Sequence, residues 1–186
     1  MCRFYSRAVV ALALVLYSSV AEATTARRLS DEELAMSASV IAIGRCTSVR
    51  SVWEGRTLVT VATIAVEEAL KGSPGAVVTV ALPGGIDANR KFPVSVVWPG
   101  APTLQIGEDV LLFLEPDEGI NSGAVVSGFS QGKFSIGRDA AGRRYVSRDL
   151  TRLTLQDERG VSRGNRVQKP LDEFRSEILG YLRQGV

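Results

Sequence analysis

Short apolar runs separated by turn residues dominate the middle of the chain. Residues 40–49 and 58–66 are rich in β-branched side chains, and a turn at residues 53–55 stands between them. Short strands at close spacing with Gly and Pro between them are typical of a β-barrel or β-sandwich. No helical segment separates the strands, which argues against parallel βαβ units. Further runs of this kind lie at residues 77–82, 94–98, 110–114, 124–129, 133–136 and 144–147.

Two helices are predicted at the two ends of this strand region. Ser30, followed three residues later by Glu33, forms a capping box in which each side chain accepts from the other residue's backbone N–H, so a short helix begins after Ser30. A second helix begins at Pro170, a position that tolerates proline. We expect its apolar face to pack on the strands, and a partner-binding helix is the alternative. The residues of that face recur at helical spacing: Leu171, Phe174, Ile178, Leu179 and Leu182.

The N-terminal segment has the three features of a secretory signal peptide. Arg3 and Arg7 give a positive start, residues 8–17 are apolar without a break, and an A-x-A cleavage pattern ends at Ala23. The run is shorter than the about 20 apolar residues that a spanning helix needs. We therefore predict cleavage after Ala23 and a secreted or periplasmic chain without a transmembrane segment.

The few Cys residues and the absence of His exclude several kinds of site. Removal of Cys2 with the signal peptide leaves Cys46 alone, so the mature chain lacks an internal disulfide, and we expect Cys46 to be a small core residue. A free reactive thiol is the alternative. Without His, Ser-His-Asp and Cys-His nucleophiles and His-ligated zinc sites are ruled out. The carboxylates of Glu67 and Glu68 point to opposite faces of a strand unless a bulge intervenes. We predict a protein that is not an enzyme and uses no cofactor or metal.

Positive charge is concentrated towards the C-terminus. Eight arginines fall between residues 138 and 166, with four acidic residues among them. Clustered arginine binds phosphate and other anions, which makes a polyanion one candidate ligand. A solvated loop is the simpler interpretation, because the acids are interspersed. Residues 149–168 are polar and read as a linker or loop. The candidate anion-binding residues are Arg143, Arg144, Arg163 and Arg166.

Four segments resemble a known fold. Residues 38–45, with Val66 to Gly72 after them, are similar to the opening of secreted OB-like domains in tissue inhibitors of metalloproteinases and netrin C-terminal modules. Residues 107–114 and 131–134 are similar to uncharacterised bacterial secreted proteins of the same pattern. The resemblance covers about residues 36–136. It implies an OB-like barrel rather than metalloproteinase inhibition, because the cysteine that those inhibitors place at their N-terminus is absent here.

These observations together predict a mainly β protein: a small OB-like antiparallel β-barrel with a short N-terminal helix and an amphipathic C-terminal helix. The predicted divisions are a signal peptide over 1–23, a barrel domain over 24–148, a polar linker over 149–168 and a helix over 169–186. An OB-like face raises nucleic-acid binding, but aromatic side chains for stacking are few, so nucleic acid is disfavoured. Trp98, next to Pro99, is either exposed or a cap on the barrel.

The predicted function is that of a secreted or periplasmic binding protein whose partner is another extracytoplasmic protein. Two alternatives remain open from the sequence. One is an inhibitor of a secreted hydrolase that acts through loops of the barrel. The other is a cell-envelope assembly factor.

Overall fold

A computed structural model describes residues 25–117 and 123–185, so the predicted signal peptide over 1–23 lies outside the described residues. Strands account for most of this part of the chain, as the apolar pattern predicts. The strands are β1 (Thr25–Arg27), β2 (Val40–Glu54), β3 (Thr57–Lys71), β4 (Val77–Pro83), β5 (Gly85–Asp87), β6 (Val94–Val96), β7 (Asp109–Pro116), β8 (Ala124–Val126), β9 (Lys133–Arg138), β10 (Arg144–Asp149), β11 (Thr154–Asp157), β12 (Gly160–Arg163) and β13 (Arg166–Pro170). The helices are α1 (Asp31–Ser37) and α2 (Leu171–Gln184). None of the described helices is long and apolar enough to cross a membrane.

The main sheet has eight strands in the order β13-β10-β9-β7-β2-β3-β4-β8. The long hairpin of β2 and β3 forms its centre, with register shifts that include one between Ile43 and Gly44. Strand β8 runs parallel to β4 and also pairs antiparallel with β7. The sheet is nevertheless not the closed barrel that the sequence predicts, because β9, β10 and β13 continue it beyond β7 and β13 is an end strand. Over the described residues the fold is therefore mainly β with two helices, as expected, but the sheet is not a closed barrel.

The polar segment 149–168, which the sequence predicts as a linker or loop, includes regular secondary structure. It contains β11, β12 and the start of β13, and β11 joins β1 and β12 in a separate three-stranded sheet. Leu153 and Leu155 are buried in a small core with Leu150, which anchors the segment to the rest of the protein. All four residues of β12 are exposed, so this strand has no apolar face and its sequence reads as a loop.

Two cores lie on the two faces of the main sheet, because successive strand residues point to opposite sides. Leu111 and Phe113 of β7 enter the first core, which also holds the buried residues of α1 and α2. Val110 and Leu112 enter the second core on the other face. Cys46 belongs to this second core and is fully buried, as expected, and burial raises the pKa of its thiol.

Both helices pack as the sequence predicts. Ser30 Oγ accepts from Glu33 N at 3.0 Å and Glu33 Oε2 accepts from Ser30 N at 2.8 Å, which completes the capping box of α1. In α2, Phe174 is fully buried against two sheet residues, and the ring centroid of Phe174 lies 6.3 Å from that of Phe113 and 4.7 Å from that of Phe134. The apolar face of α2 therefore covers the sheet and is not a free partner-binding surface.

A buried charge ties α1 to the sheet. The side chain of Arg148 on β10 is 9% exposed, and its Nη1 lies 3.0 Å from Asp31 Oδ1 at the start of α1. The same Nη1 donates to the backbone oxygen of Gln131 at 3.0 Å, and the guanidinium stacks 4.5 Å from the Phe134 ring centre. Burial lowers the pKa of Arg148, while the Asp31 carboxylate opposes this effect. The pair fixes the first turn of α1 against β10.

Candidate functional site

Exposed apolar side chains are concentrated in one short segment. Ile86, Phe92, Val97 and Trp98 are 64%, 76%, 80% and 52% exposed, although residues of these types are normally buried. They lie on or beside the small two-stranded sheet of β5 and β6. We call residues 84–98 the β5–β6 lobe. A group of exposed apolar side chains on a protein surface is typical of an interaction site.

The lobe is attached to the β2–β3 hairpin through the carboxylate of Asp87. Its Oδ2 accepts from Trp53 Nε1 at 2.7 Å and from Arg90 Nε at 2.9 Å, and its Oδ1 accepts from Asn89 N at 3.2 Å. The Arg90 guanidinium lies 4.5 Å from the Trp53 ring centre, within the range of a cation–π contact. The indole hydrogen bond is the main reason that the pKa of Asp87 is lowered, and the Arg90 contact adds to it.

The base of the lobe is fixed by close backbone contacts around Gly84. Its N–H donates to Leu58 O at 3.1 Å and its oxygen accepts from Thr60 Oγ1 at 2.8 Å. Gly84 has φ +85°, and a Cβ at this position would lie 2.4 Å from Val96 O, so only glycine fits. Ile86 N donates to Ser51 Oγ at 2.9 Å. The lobe is thus held at its base by both strands of the central hairpin.

Positive charge adjoins the exposed ring of Phe92. Lys91 Nζ lies 5.8 Å from the ring centre, and Lys91 forms no ion pair within residues 25–117 and 123–185. Arg90 is already paired with Asp87. The lobe therefore presents an aromatic ring with an unpaired cation next to it, a combination that suits a partner with an apolar pocket and an acidic rim.

The four predicted anion-binding arginines do not form one patch. Arg143 pairs with Asp139 at 2.9 Å and Arg144 with Glu67 at 3.4 Å. The other two lie at the opposite end of β10: Arg166 pairs with Asp149, and Arg163 Nε donates to Thr151 O at 3.0 Å. The two ends of a six-residue strand are about 17 Å apart. Three of the four charges are neutralised by a carboxylate, and anion binding by the set stays a prediction.

The Glu67–Glu68 pair also has structural partners. The register shift between Ile43 and Gly44 leaves Glu67 without a residue opposite it on β2, so the bulge that would bring the two side chains together is present. Their carboxylates nevertheless go to different cations, Glu67 to Arg144 and Glu68 to Arg175 of α2. Over residues 25–117 and 123–185, no group of three or more Asp, Glu, Cys or His side chains could hold a metal ion.

The sequence predicts an apolar run over residues 94–98, within the β5–β6 lobe, but indicates possible exposure for Trp98 alone. Trp98 is predicted to be either exposed or a cap on the barrel, and it is half exposed, beside a turn in which Ala101 N donates to Trp98 O at 3.0 Å. The exposure of Ile86, Phe92 and Val97 is not predicted, because β5 and β6 are too short to show a period. The available signal was Phe92 itself, a large ring between Lys91 and Pro93 in a segment without a regular apolar pattern.

Comparisons with protein-family models, with curated proteins and with solved structures found no significant match to this chain.

Proposed function

We propose that this protein is a secreted or periplasmic, non-enzymatic binding protein that contacts another extracytoplasmic protein through the β5–β6 lobe. The observation that carries the proposal is the exposure of Phe92, Val97 and Trp98 on a lobe that is anchored at its base. Exposed aromatic side chains on a rigid support supply most of the energy of many protein interfaces, because little conformational entropy is lost when they bind.

The expected partner has an apolar pocket for Phe92 with acidic groups at its rim. Asp87 is paired with Arg90, so Lys91 supplies the unpaired charge next to the ring. Complementary charge at the rim of an interface accelerates association and gives it a dependence on salt. Binding should therefore weaken as ionic strength rises, but the apolar contact of Phe92 should persist.

We also propose that β2, β3, β4, β7 and β8 form an OB-like unit within the open sheet. The support is the order of their pairings: β2 with β3, β3 with β4, β4 in parallel with β8, β8 with β7, and β7 with β2. In this arrangement the β5–β6 lobe is an insertion between the third and fourth strands of the unit, and Trp53 lies at the turn between its first and second strands.

Inhibition of a secreted hydrolase is a second candidate function. It is favoured by the position of Phe92 in the loop between β5 and β6, because the pairing of these strands fixes the two ends of the loop. Such a loop suits insertion into the cleft of an enzyme. Such a loop gains affinity when it is ordered before binding. Panels of secreted proteases and glycosidases, assayed with micromolar purified protein, separate this candidate from binding without inhibition.

Site-specific photocrosslinking tests the binding proposal. A photoreactive amino acid is placed at position 92 or 97, and at Val161 as a matched control, because Val161 is also exposed, at 64%, but lies on β12. We expect one discrete protein adduct from positions 92 and 97 and none from position 161. The adduct should disappear when Trp98→Ala is combined with the probe at position 92.

Equal adducts from all three positions, or none from positions 92 and 97, would contradict the proposal. Adducts with lipid instead of protein would assign the lobe to a membrane surface and would also contradict it. Circular dichroism of each variant shows that a lost adduct does not result from unfolding.

A further inference from the structure

A second surface of the main sheet is polar and is formed by residues of β9, β10 and β13. On β7, Val110 and Leu112 face the second core, and on the neighbouring β9 the positions opposite them are Ser135 and Lys133. The same face of the sheet therefore changes from apolar to polar where β9 begins. The change continues across β10 and β13, where Ser147 stands directly opposite Ser135 on one side and opposite Gln168 on the other.

A cleft of about 620 Å³ covers this polar face. Residues 100–103, which follow the β5–β6 lobe, line it, and so do residues 150–153 between β10 and β11. A volume of this size accommodates a ligand of two or three rings. The strands that carry the polar side chains are fixed from behind by the first core, so the floor of the cleft is rigid.

Several charged groups of the cleft are already paired. Glu108 Oε1 accepts from Lys133 Nζ and, at 2.7 Å, from Ser135 Oγ. These three side chains therefore satisfy one another. Asp149 accepts hydrogen bonds from Thr151 and Arg166. These hydrogen bonds hold the pKa of Asp149 well below its usual range, and the Thr151 hydroxyl has the largest effect. Both groups are internally neutral.

Other polar groups of the cleft are free for a ligand. Within residues 25–117 and 123–185, the Gln168 amide, the Tyr145 hydroxyl and the Arg152 guanidinium have no hydrogen-bond or ion-pair partner, and Arg152 is exposed. The other cations that line the cleft each have a carboxylate partner, Arg148 with Asp31 among them, so among the described residues Arg152 supplies the unpaired charge. The other two free groups are the Gln168 amide and the Tyr145 hydroxyl, which pair with hydroxyl groups rather than with apolar surface.

Tyr145 provides a flat aromatic surface in the same cleft. It stands directly opposite Gly137 on β9, and a Cβ at Gly137 would lie 2.5 Å from Tyr145 Cζ. The ring therefore lies across the glycine backbone and is supported by the strand beneath it. A supported aromatic face offers a stacking surface for the C–H face of a sugar ring.

We infer that this cleft binds an acidic oligosaccharide. A sugar ring stacks on Tyr145, vicinal hydroxyls pair with the Gln168 amide, and a sugar carboxylate pairs with Arg152. Arginine suits this role because its planar guanidinium donates two parallel hydrogen bonds to a carboxylate. The site is separate from the β5–β6 lobe, so this inference does not rest on protein binding.

Calorimetric titration with trigalacturonate, and with the neutral cellotriose as comparison, tests the inference. We expect trigalacturonate to bind with a dissociation constant of about 1 mM or lower and cellotriose to bind at least about tenfold more weakly. Arg152→Gln should reduce trigalacturonate affinity about tenfold, the effect of losing one charge-assisted contact. Tyr145→Ala should reduce the affinity for both sugars, whereas Tyr145→Phe, which keeps the ring, should retain most of it.

Arg56→Gln is the matched control, because it removes the same charge from the β2–β3 turn, outside the cleft. No binding of trigalacturonate at millimolar concentration would overturn the inference. It would also be overturned by equal losses in Arg56→Gln and Arg152→Gln, or by equal binding of the two sugars. Displacement of trigalacturonate by an equal concentration of inorganic sulfate would show a general anion effect and would overturn it too. Phe92→Ala, which addresses the lobe, should leave sugar binding unchanged.

Discussion

The indole Nε1 of Trp53 donates a hydrogen bond of 2.7 Å to Oδ2 of Asp87, across a separation of 34 residues in the sequence. This contact connects the turn of the central hairpin to the β5–β6 lobe, and Arg90 stacks on the same indole. The ionised carboxylate of Asp87 therefore helps to hold the lobe against the hairpin, together with the backbone contacts at its base.

The Trp53–Asp87 contact should be sensitive to acid. The pKa of Asp87 is lowered from its ordinary 3.8, so the contact is fully formed above that value and is lost as pH falls through the lower, folded-state pKa. In a Trp98→Phe background, where Trp53 is the only tryptophan, its fluorescence should change with a midpoint below pH 3.8. The same transition in an added Asp87→Asn variant would show that another group titrates.

The Cys46 thiol should be inert in the native protein. It is fully buried and its pKa is raised, so a thiol reagent reaches it only when the structure opens. Labelling with a chromogenic disulfide at pH 8 should be at least about a thousandfold slower than in denaturant. The Cys46→Ser variant, which lacks this thiol, gives the background signal. Complete labelling of native protein within minutes would show that the second core is open at this point.

Phe174 should contribute strongly to stability. It contacts Phe113 and Phe134 in the first core, so Phe174→Ala should lower the free energy of unfolding by about 3–5 kcal/mol in urea denaturation. Leu179→Ala on the half-buried side of α2 is the control, with a loss of about 1 kcal/mol. If the two losses were equally small, α2 would not be part of the core.

The Arg148–Asp31 pair should behave as a buried ion pair. Asp31→Asn leaves the buried guanidinium without its carboxylate and should cost about 3 kcal/mol of unfolding free energy. Arg148→Met together with Asp31→Asn should cost less than the sum of the single changes. For comparison, Arg45→Gln breaks the more exposed pair with Asp109 and should cost much less than Asp31→Asn. Additive losses in the double variant would show that the two side chains do not interact.

The arginine cluster should contribute little to polyanion binding. Three of the four residues are paired with carboxylates, and the set is divided between the two ends of β10. Simultaneous neutralisation to glutamine should therefore lower the salt concentration for elution from heparin only slightly. A collapse of retention would restore the polyanion interpretation. The four residues to be changed are Arg143, Arg144, Arg163 and Arg166.

Most of the main sheet could be predicted because its strands bury apolar residues in regular patterns. The runs at residues 40–49 and 58–66 became β2 and β3, and the capping box at Ser30 and Glu33 formed as expected. Strands β11 and β12 could not be predicted in the same way. Their sheet is small, β12 is exposed on both faces, and only Leu153 and Leu155 indicate a buried side.

The candidate site was much less visible in the sequence. Asp87 and Trp53 are far apart along the chain, and nothing local indicates that they meet. The polar cleft arises from register: Ser135, Ser147 and Gln168 come into line only when β9, β10 and β13 are paired. The arginines of the cluster are close in the sequence, but β10 separates them into two groups at its two ends.

The pairing of β1 with β11 joins two distant parts of the chain and affects the order in which contacts form during folding. The first strand finds its partner about 130 residues later, and α1 packs against α2, the last helix. Contacts between such distant segments form late, because a long loop must close before they can form. Strand β1 and helix α1 therefore gain these partners only when the carboxyl end of the chain is present.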